Sequence, residues 1–564
     1  MITKVKVQYF KQFEEQEFDL SNPVILAAGP NNSGKTTLLQ ALAVWSMGLQ
    51  KWISERGATS KAKKRAGVPI TRKDFTAIPL REMKLLWTNT FTSLKKDETE
   101  EGKTGFPRVM NITLYGKHEE VPWEFSLEFR YQSSEQIYVK PADENISEVP
   151  KEVKGLQVVH VPPFSGIGAE ETRYDRPYQD LLIGQGKAGD ILRNLLLEVH
   201  KQPGHWKELT EQIEDVFHYQ LLPPEYEGRP FILCEYLRGV PQGKGKNGLA
   251  QLDIASAGSG FHQILLLLAF FYARPASILL LDEPDAHLHV ILQKQIYGTL
   301  RRIASERKCQ LVIATHSEVL IDNTSPELII SFYKKPHRLV SETDRDQIRE
   351  ALKRLSASDI LFAERSSGIL YLEGETDFDL LKAWAKVIGH PLMAWFGESP
   401  FWHINQGRNP KEAKGHLFAL QALEPGMKGL LLLDGDNRGL DDREVAANGL
   451  TINRWIRYEA ESYLFHPDAL LRFIESRAEP LFVQAGRNFL EDQTAPAAFR
   501  NPLGDHDFLL NTPFSKTFLP ELLKTAHVGI TKSEYYLIAE QMKPEEIHRE
   551  VTSKLDSIEA AFAS

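Results

Sequence analysis

Of 564 residues only two are cysteine, Cys234 and Cys309, and they lie far apart in the chain. That scarcity excludes a disulfide framework and a cysteine-rich zinc site, and makes a reducing, cytoplasmic compartment the expected setting. No uninterrupted apolar stretch approaches the roughly 18 residues that argue for a membrane span, so no membrane association is expected. Internal repeats and long low-complexity tracts are missing too, which removes solenoids and fibrous folds. Net positive charge is also lacking. Lys and Arg total 67 against 76 Asp and Glu, a formal net charge of −9. Any contact with nucleic acid must therefore come from local basic patches. The opening stretch MITKVKVQYFKQFEEQEF alternates apolar and polar residues and carries acids, which is the pattern of a strand hairpin and not of a signal or transit peptide.

What is present is the composition of a folded protein, 42% hydrophobic and 25% charged, with length for roughly two to four domains. One local basic patch stands out. Between residues 51 and 73 lie Lys51, Arg56, Lys61, Lys63, Lys64, Arg65, Arg72 and Lys73 against the single acid Glu55. It reads equally as a solvated insertion or as a nucleic-acid contact. Four basic residues of the tail, Arg472, Arg477, Arg487 and Arg500, are further candidates for phosphate contact. Apolar periodicity becomes helical from about residue 170 to about 220, and the character of the chain resets near 360, where a new strand-helix unit begins.

Two constellations carry chemistry. The first begins with Gly29-Pro30-Asn31-Asn32-Ser33-Gly34-Lys35-Thr36, a G-x-x-x-x-G-K-T loop between an apolar strand, Val24–Ala28, and a helical pattern. Glycines in such a loop let backbone N–H groups face phosphate oxygens, and the helix N-terminus adds its positive dipole end. Gly29, Asn32, Ser33, Gly34 and Thr37 are expected to cradle ATP, Lys35 to reach its β- and γ-phosphates, and the Thr36 hydroxyl to ligate Mg²⁺. Downstream, the apolar strand ILLL delivers Asp282 and Glu283, a second Mg²⁺ ligand and a carboxylate able to polarise the attacking water.

The second constellation is a pair of apolar strands, each ending in acids: ILYL before Glu373-Gly374-Glu375-Thr376-Asp377, and LLLL before Asp434-Gly435-Asp436. In a parallel α/β sheet such strand ends lie side by side, where ligands bind. Carboxylates brought together this way repel one another without cations, and an oxygen-only donor set calls for Mg²⁺ or Mn²⁺.

The residues after the first constellation resemble the ABC class of ATPases. Ser256-Ala257-Gly258-Ser259-Gly260 is similar to the signature loop while departing from its usual LSGGQ form. Asp285-Ala286-His287-Leu288-His289 resembles the D-loop of SMC-like ATPases, and Ala314-Thr315-His316-Ser317 the switch histidine. The resemblance implies that Ser256 and Gly258 complete a nucleotide site on a second copy, that His316 senses the γ-phosphate, and that the chain forms a homodimer or higher homo-oligomer. The second constellation resembles the topoisomerase-primase (TOPRIM) domain, which implies Glu373, Asp434 and Asp436 as metal ligands.

An ABC-type head followed by TOPRIM is the architecture of the OLD (overcoming lysogenization defect) nucleases, which resemble this chain over nearly its whole length. The resemblance implies an α/β protein with an ABC/SMC-like P-loop ATPase head over residues 1–360 and a helical, dimerising insert at about 165–235. A TOPRIM nuclease core at 361–470 and a mostly helical C-terminal part at 471–564 would follow. It adds Asp377 as a metal ligand, and Glu461 in Arg457-Tyr458-Glu459-Ala460-Glu461-Ser462-Tyr463-Leu464 as another, with Glu459 as the alternative. Ser462 stands there where the family has Asn. Lys516 resembles a late lysine that stabilises charge in the transition state. The implied activity is metal-dependent DNA cleavage under ATPase control in antiphage defence. Gabija-type and retron-associated relatives imply a protein or retron-type nucleic-acid partner. The rival reading is an ATP-driven scaffold that clamps DNA or a partner. A primase or topoisomerase fits less well, since the rest of the chain resembles neither, and Tyr463 is expected to be a packed, hydrogen-bonded residue and not a strand-transferring one.

Overall fold

Long uninterrupted apolar runs belong to strands buried on both faces, which is the environment of a parallel sheet under helices. The computed structural model, which describes residues 1–59, 66–76, 78–94, 106–118, 121–143, 148–239, 249–333, 335–366, 368–397, 400–405, 410–436 and 448–562, places the acid-tipped runs in such sheets. Lys61, Lys63, Lys64 and Arg65 of the basic patch lie outside the described residues. The chain divides into two units, Met1–Arg349 and Glu350–Ser564. The division falls inside the helix Glu342–Arg354, ahead of the boundary expected near 360. The reason is the next helix, Ala357–Ala363, which belongs to the second unit through contact between Asp359 and His416.

In the first unit a six-stranded, largely parallel sheet runs in the order His337–Arg338, Ile329–Ser331, Val24–Ala28, Gln310–Thr315, Ile278–Asp282, Val158–Val161. The strand leading into the G-x-x-x-x-G-K-T loop and the strand ending in Asp282 therefore flank the strand that ends at Thr315. A second, antiparallel six-stranded sheet is built from Ile2–Phe10, Phe13–Asp19, Met110–His118, Val121–Ser133, Gln136–Pro141 and Val68–Thr71. The helix Lys35–Arg56 joins the two. It is buried around most of its girth, through Leu38, Leu39, Leu42, Val44 and Trp45, and one core runs from Ile25 and Leu280 through this helix to Ile112 and Phe129. The helices Arg176–Gly184, Leu192–His200 and Pro203–Phe217 lie within the stretch read from sequence as a helical insert. It ends in a small antiparallel sheet of Tyr219–Leu221, Glu235–Arg238 and Gln251–Asp253.

The second unit is built on four parallel strands in the order Trp402–Ile404, Gly368–Leu372, Lys428–Leu433, Leu450–Arg454. Leu370, Leu372, Leu430 and Leu432 turn one face toward a core they share with Leu381 and Trp384 and with the C-terminal residues Leu470, Phe473, Leu555 and Ile558. The residues after 471 are thus helical, and they are packed into the same core as the sheet. Both cysteines are free and buried, and burial raises both thiols above their ordinary range, Cys309 to about 11. No described helix is long and apolar enough to cross a membrane.

Candidate functional sites

The glycine-rich loop is shaped by a backbone that only glycine takes easily. Gly34 has φ 107°, and a Cβ there would lie 2.0 Å from Gln12 Nε2, so a side chain is excluded on both counts. Lys35 is buried, and its ammonium donates to the carbonyls of Gly29 at 2.8 Å and Pro30 at 2.6 Å. Burial lowers its pKa, against the opposing pull of Glu283, Asp282 and Asp285. The Thr36 hydroxyl donates to Asp282 Oδ1 at 3.0 Å, which brings the two expected Mg²⁺ ligands together across 246 residues of sequence. Burial is the main cause that lifts the Asp282 carboxyl to about 6, helped by Glu283 and opposed by Thr36 and Lys35. Ser33 Oγ is buried in the loop with no hydrogen-bond partner among the described residues. An orphaned hydroxyl, a cationic Lys and a hydroxyl-carboxylate pair form a donor set that fits a phosphate and a hard divalent ion.

Glu283 sits at φ 50°, a conformation that costs a non-glycine residue free energy and needs support. Its N–H donates to Ala314 O at 2.9 Å, and its carboxylate lies 3.3 Å from His316 Nδ1. The expected D-loop is tied to the same strand end. Thr315 Oγ1 donates to Asp285 Oδ1 at 2.6 Å, Ser317 Oγ to Gln293 Oε1 at 2.7 Å, and Gln293 Nε2 to Leu288 O at 2.9 Å. Ser256, Gly258 and Ser259 are exposed at the start of the helix Ser259–Ala273. That helix reaches the acid strand through Gln263 Nε2, which donates to Pro284 O at 3.3 Å.

In the second unit the strands ending at Leu372 and Leu433 are neighbours, so Glu373 and Asp434 emerge side by side. The Asp434 N–H donates to Glu373 Oε1 at 2.9 Å, and its carboxylate accepts from the Ala460 N–H at 3.2 Å. Gly435 permits the approach, since a Cβ there would lie 2.2 Å from Arg457 O. Asp377 caps the following helix by accepting from the Gly374 N–H at 3.0 Å. Both candidates in the 457–464 stretch are buried beside these acids, each with its own partner. Glu459 accepts from the N–H and hydroxyl of Ser515, and Glu461 lies 2.7 Å from Lys532 Nζ.

The electrostatics show the convergence. Burial raises the Asp434 carboxyl to about 9, with the charges of Asp377, Glu373, Glu461 and Glu459 adding to it. Burial and then Glu461 raise Asp377 to about 7, and burial followed by Glu461 raises Glu459. For Lys532 burial acts downward, yet Glu461, Glu459 and Asp377 outweigh it and hold the ammonium above its ordinary value. An all-carboxylate set whose members suppress one another's ionisation fits divalent metal.

Lys516 is exposed and makes no ion pair among the described residues. Lys532, in Thr531-Lys532-Ser533-Glu534, is a cation at the acids among the described residues. Its sequence surroundings offer no signal that separates it from a solvated lysine. Tyr463 is buried, donates to Glu550 and accepts from the Arg457 N–H at 3.0 Å, so its hydroxyl is locked in the scaffold. Among the other basic candidates Arg472 is held by Glu546 and Gln541 O, Arg487 faces Glu475 at 3.6 Å, Lys51 pairs with Glu55 and Arg72 with Glu135. Side chains occupied in this way leave less free charge for phosphate than the sequence suggests.

Two family models match the chain. Residues 4–140 match an AAA domain, and residues 186–322 match one described as AAA domain, putative AbiEii toxin, Type IV TA system. The first match holds the glycine-rich loop, and the second holds Asp282, Glu283 and His316. Both matched segments are thus similar to AAA ATPase domains. No curated protein matches the sequence. Among solved structures, an Smc head bound to the C-winged helix domain of ScpA is 16% identical with a TM-score of 0.35, covering 61% of this chain and 98% of that one. An Smc head domain bound to the C-terminal domain of ScpA from Pyrococcus furiosus is 14% identical with a TM-score of 0.32, covering 58% and 92%. The C-terminal region of the Burkholderia pseudomallei OLD protein is 17% identical with a TM-score of 0.23, covering 35% and 98%.

Proposed function

We propose that the chain is an ATP-regulated, divalent-metal-dependent DNA endonuclease of the OLD type, its ATPase domain joined to a TOPRIM nuclease, acting in antiphage defence as a dimer or higher homo-oligomer. The observation that supports this reading most is the convergence of Glu373, Asp377, Asp434, Glu459 and Glu461 at adjacent parallel strand ends, with Asp436 two residues beyond Asp434. Isolated acids are common on surfaces, whereas buried acids that raise one another's pKa mark functional sites.

Glu373, Asp377, Asp434, Asp436 and Glu461 would hold Mg²⁺ or Mn²⁺, with Glu459 beside them. When bound, such ions activate water and neutralise charge on a phosphodiester. The chain's own residues do the rest. The Asp434 N–H fixes the Glu373 carboxylate, the Gly374 N–H fixes Asp377, and Ser515 fixes Glu459, so the donor atoms are oriented in advance. Lys532 supplies positive charge beside Glu461, while the family resemblance implies Lys516 as the lysine that stabilises charge in the transition state. In the ATPase domain Lys35 and the loop N–H groups bind the phosphates, Thr36 and Asp282 would hold Mg²⁺, and Glu283 orients water under the control of His316. The exposed loop Ser256–Gly260 is left to act on a nucleotide held by a second copy.

Plasmid cleavage in Mg²⁺ and in Mn²⁺, with and without ATP, tests the reading. Wild type is expected to cut and Asp434→Ala to be inert, while Lys35→Ala gives the sign of ATP control. Wild type that hydrolyses ATP and cuts nothing in any lane returns the scaffold reading.

A further inference from the structure

We propose that Arg193 is a positioning residue for the loop Ser256–Gly260, through which the helical insert sets that loop for use by a second copy of the chain. The inference rests on the reading that this loop completes a nucleotide site in trans.

Arg193 stands near the start of the helix Leu192–His200, 2% exposed. Its guanidinium grips Asp253 with two bonds, at 3.0 and 2.8 Å, and donates a third to Ala169 O at 3.0 Å. The backbone that carries it is itself pinned. Glu171, also buried, accepts from the N–H groups of Arg193 at 2.8 Å and Asn194 at 2.7 Å, and from Asn194 Nδ2. On the far side, Asp253 organises the loop. Its carboxylate accepts from the Ala255 N–H at 2.7 Å, and its carbonyl accepts from Ser256 Oγ at 2.7 Å. Ile254 is held from beneath by its N–H to Cys234 O at 3.0 Å and by His262 Nε2 against its carbonyl at 2.6 Å. Asp253 and Ile254 are thus held by Arg193, Cys234 and His262, Ser256 is tied back to Asp253 through its hydroxyl, and Ser256, Gly258 and Ser259 remain exposed.

A buried ion pair is a poor way to gain stability, because desolvation offsets most of the attraction. What a planar guanidinium supplies is direction: its two parallel bonds fix the plane of the carboxylate they hold. Asp253 in turn fixes the turn that starts the loop. A loop that must meet a phosphate on another protein needs its N–H and hydroxyl groups aimed before the encounter, and a misplacement of about 1 Å can reduce turnover on the order of 100-fold.

The test compares wild type with Arg193→Lys, Arg193→Met and Asp253→Asn. It reads binding of a fluorescent ATP analogue, ATP-dependent association, and ATPase rate against protein concentration. Wild-type specific activity is expected to rise with concentration. The variants are expected to bind the analogue like wild type, associate weakly with ATP, and hydrolyse about 10- to 100-fold more slowly. Arg193→Lys keeps the charge without the fork and should share the defect. Asp253 is 36% exposed at its side chain, so Asp253→Asn carries the test if Arg193→Met fails to fold.

The decisive arm mixes Arg193→Met, or Asp253→Asn, with Glu283→Gln. Each is slow alone, but a mixed dimer holds one complete site, with Glu283 from one copy and an ordered loop from the other, so mixing should restore turnover. Wild-type activity that is independent of concentration in a protein that sedimentation shows to stay monomeric with ATP removes the two-copy reading and this inference with it. Concentration-dependent wild type with variants at the wild-type rate, or slow variants that mixing does not restore, overturns the role of Arg193 alone.

Discussion

Asp434 is the residue on which the nuclease reading turns, and its protonation makes that reading testable without any DNA. Its carboxyl titrates up to about 9 and that of Asp377 up to about 7, both from an ordinary 3.8. Above pH 4 an unfolded chain releases protons that the folded one keeps, so the metal-free protein loses stability as pH rises from about 4 through about 9. Divalent metal needs the ionised forms, so its affinity should climb over the same window and its binding should expel protons. Calorimetry of Mn²⁺ binding at pH 7, in two buffers of different ionisation enthalpy, should give different apparent enthalpies. Equal values would remove the coupled carboxylates from the metal site. Lys532 supplies the second test at this scale. Lys532→Met takes away the cation beside Glu461, and cleavage should fall about 100-fold, as for other preorganised electrostatic groups. Lys516→Met should leave cleavage near wild type, and the reverse order of effects would return the role to Lys516. Glu373 and Asp434 were legible in the sequence because each ends a run of apolar strand residues, whereas Asp377, Glu459 and Glu461 came only from the family resemblance. Lys532 was not legible, since its partner lies 71 residues away (532 − 461) and nothing local marks it.

At the scale of elements, the strands that carry the sites follow from their apolar runs, and so do the helices after residues 34 and 374. Other features were hidden for reasons that lie in packing. The helix from Lys35 runs to Arg56 because two sheets cover it and stabilise turns that its own periodicity does not announce. Strands of three or four residues in the insert are too short to show a period. The sandwiched helix makes its own prediction at Gly48, where a Cβ would lie 2.9 Å from Phe129 Cζ and 3.3 Å from Val139 Cγ2. Gly48→Val should therefore force the antiparallel sheet off the helix at a cost of about 1–3 kcal/mol. The check is a lower urea midpoint with an unchanged slope. An unshifted midpoint would mean that the two sheets are not held together through this helix.

For the whole molecule, two sites are built on two separate cores. The nucleotide site stands on the core that runs from Ile25 through the helix Lys35–Arg56 to Phe129, and the carboxylate site on the core of Leu370, Leu430 and the C-terminal helices. Among the described residues each site draws its ligand-bearing residues and their supports from its own unit, so each is expected to assemble on its own core. Communication between them should appear in rates, not in the integrity of either site. Asp434→Ala should therefore hydrolyse ATP at the wild-type rate in the absence of DNA, and Lys35→Ala should bind Mn²⁺ with wild-type affinity and proton release. Only plasmid cleavage should respond to both substitutions, Asp434→Ala abolishing it and Lys35→Ala shifting it in the direction that ATP control sets. A double variant then measures the coupling, because substitutions without shared partners add in free energy and coupled ones do not. Loss of ATPase activity in a folded Asp434→Ala protein would show that the two sites are built as one, and the separation argued from the two cores would fall.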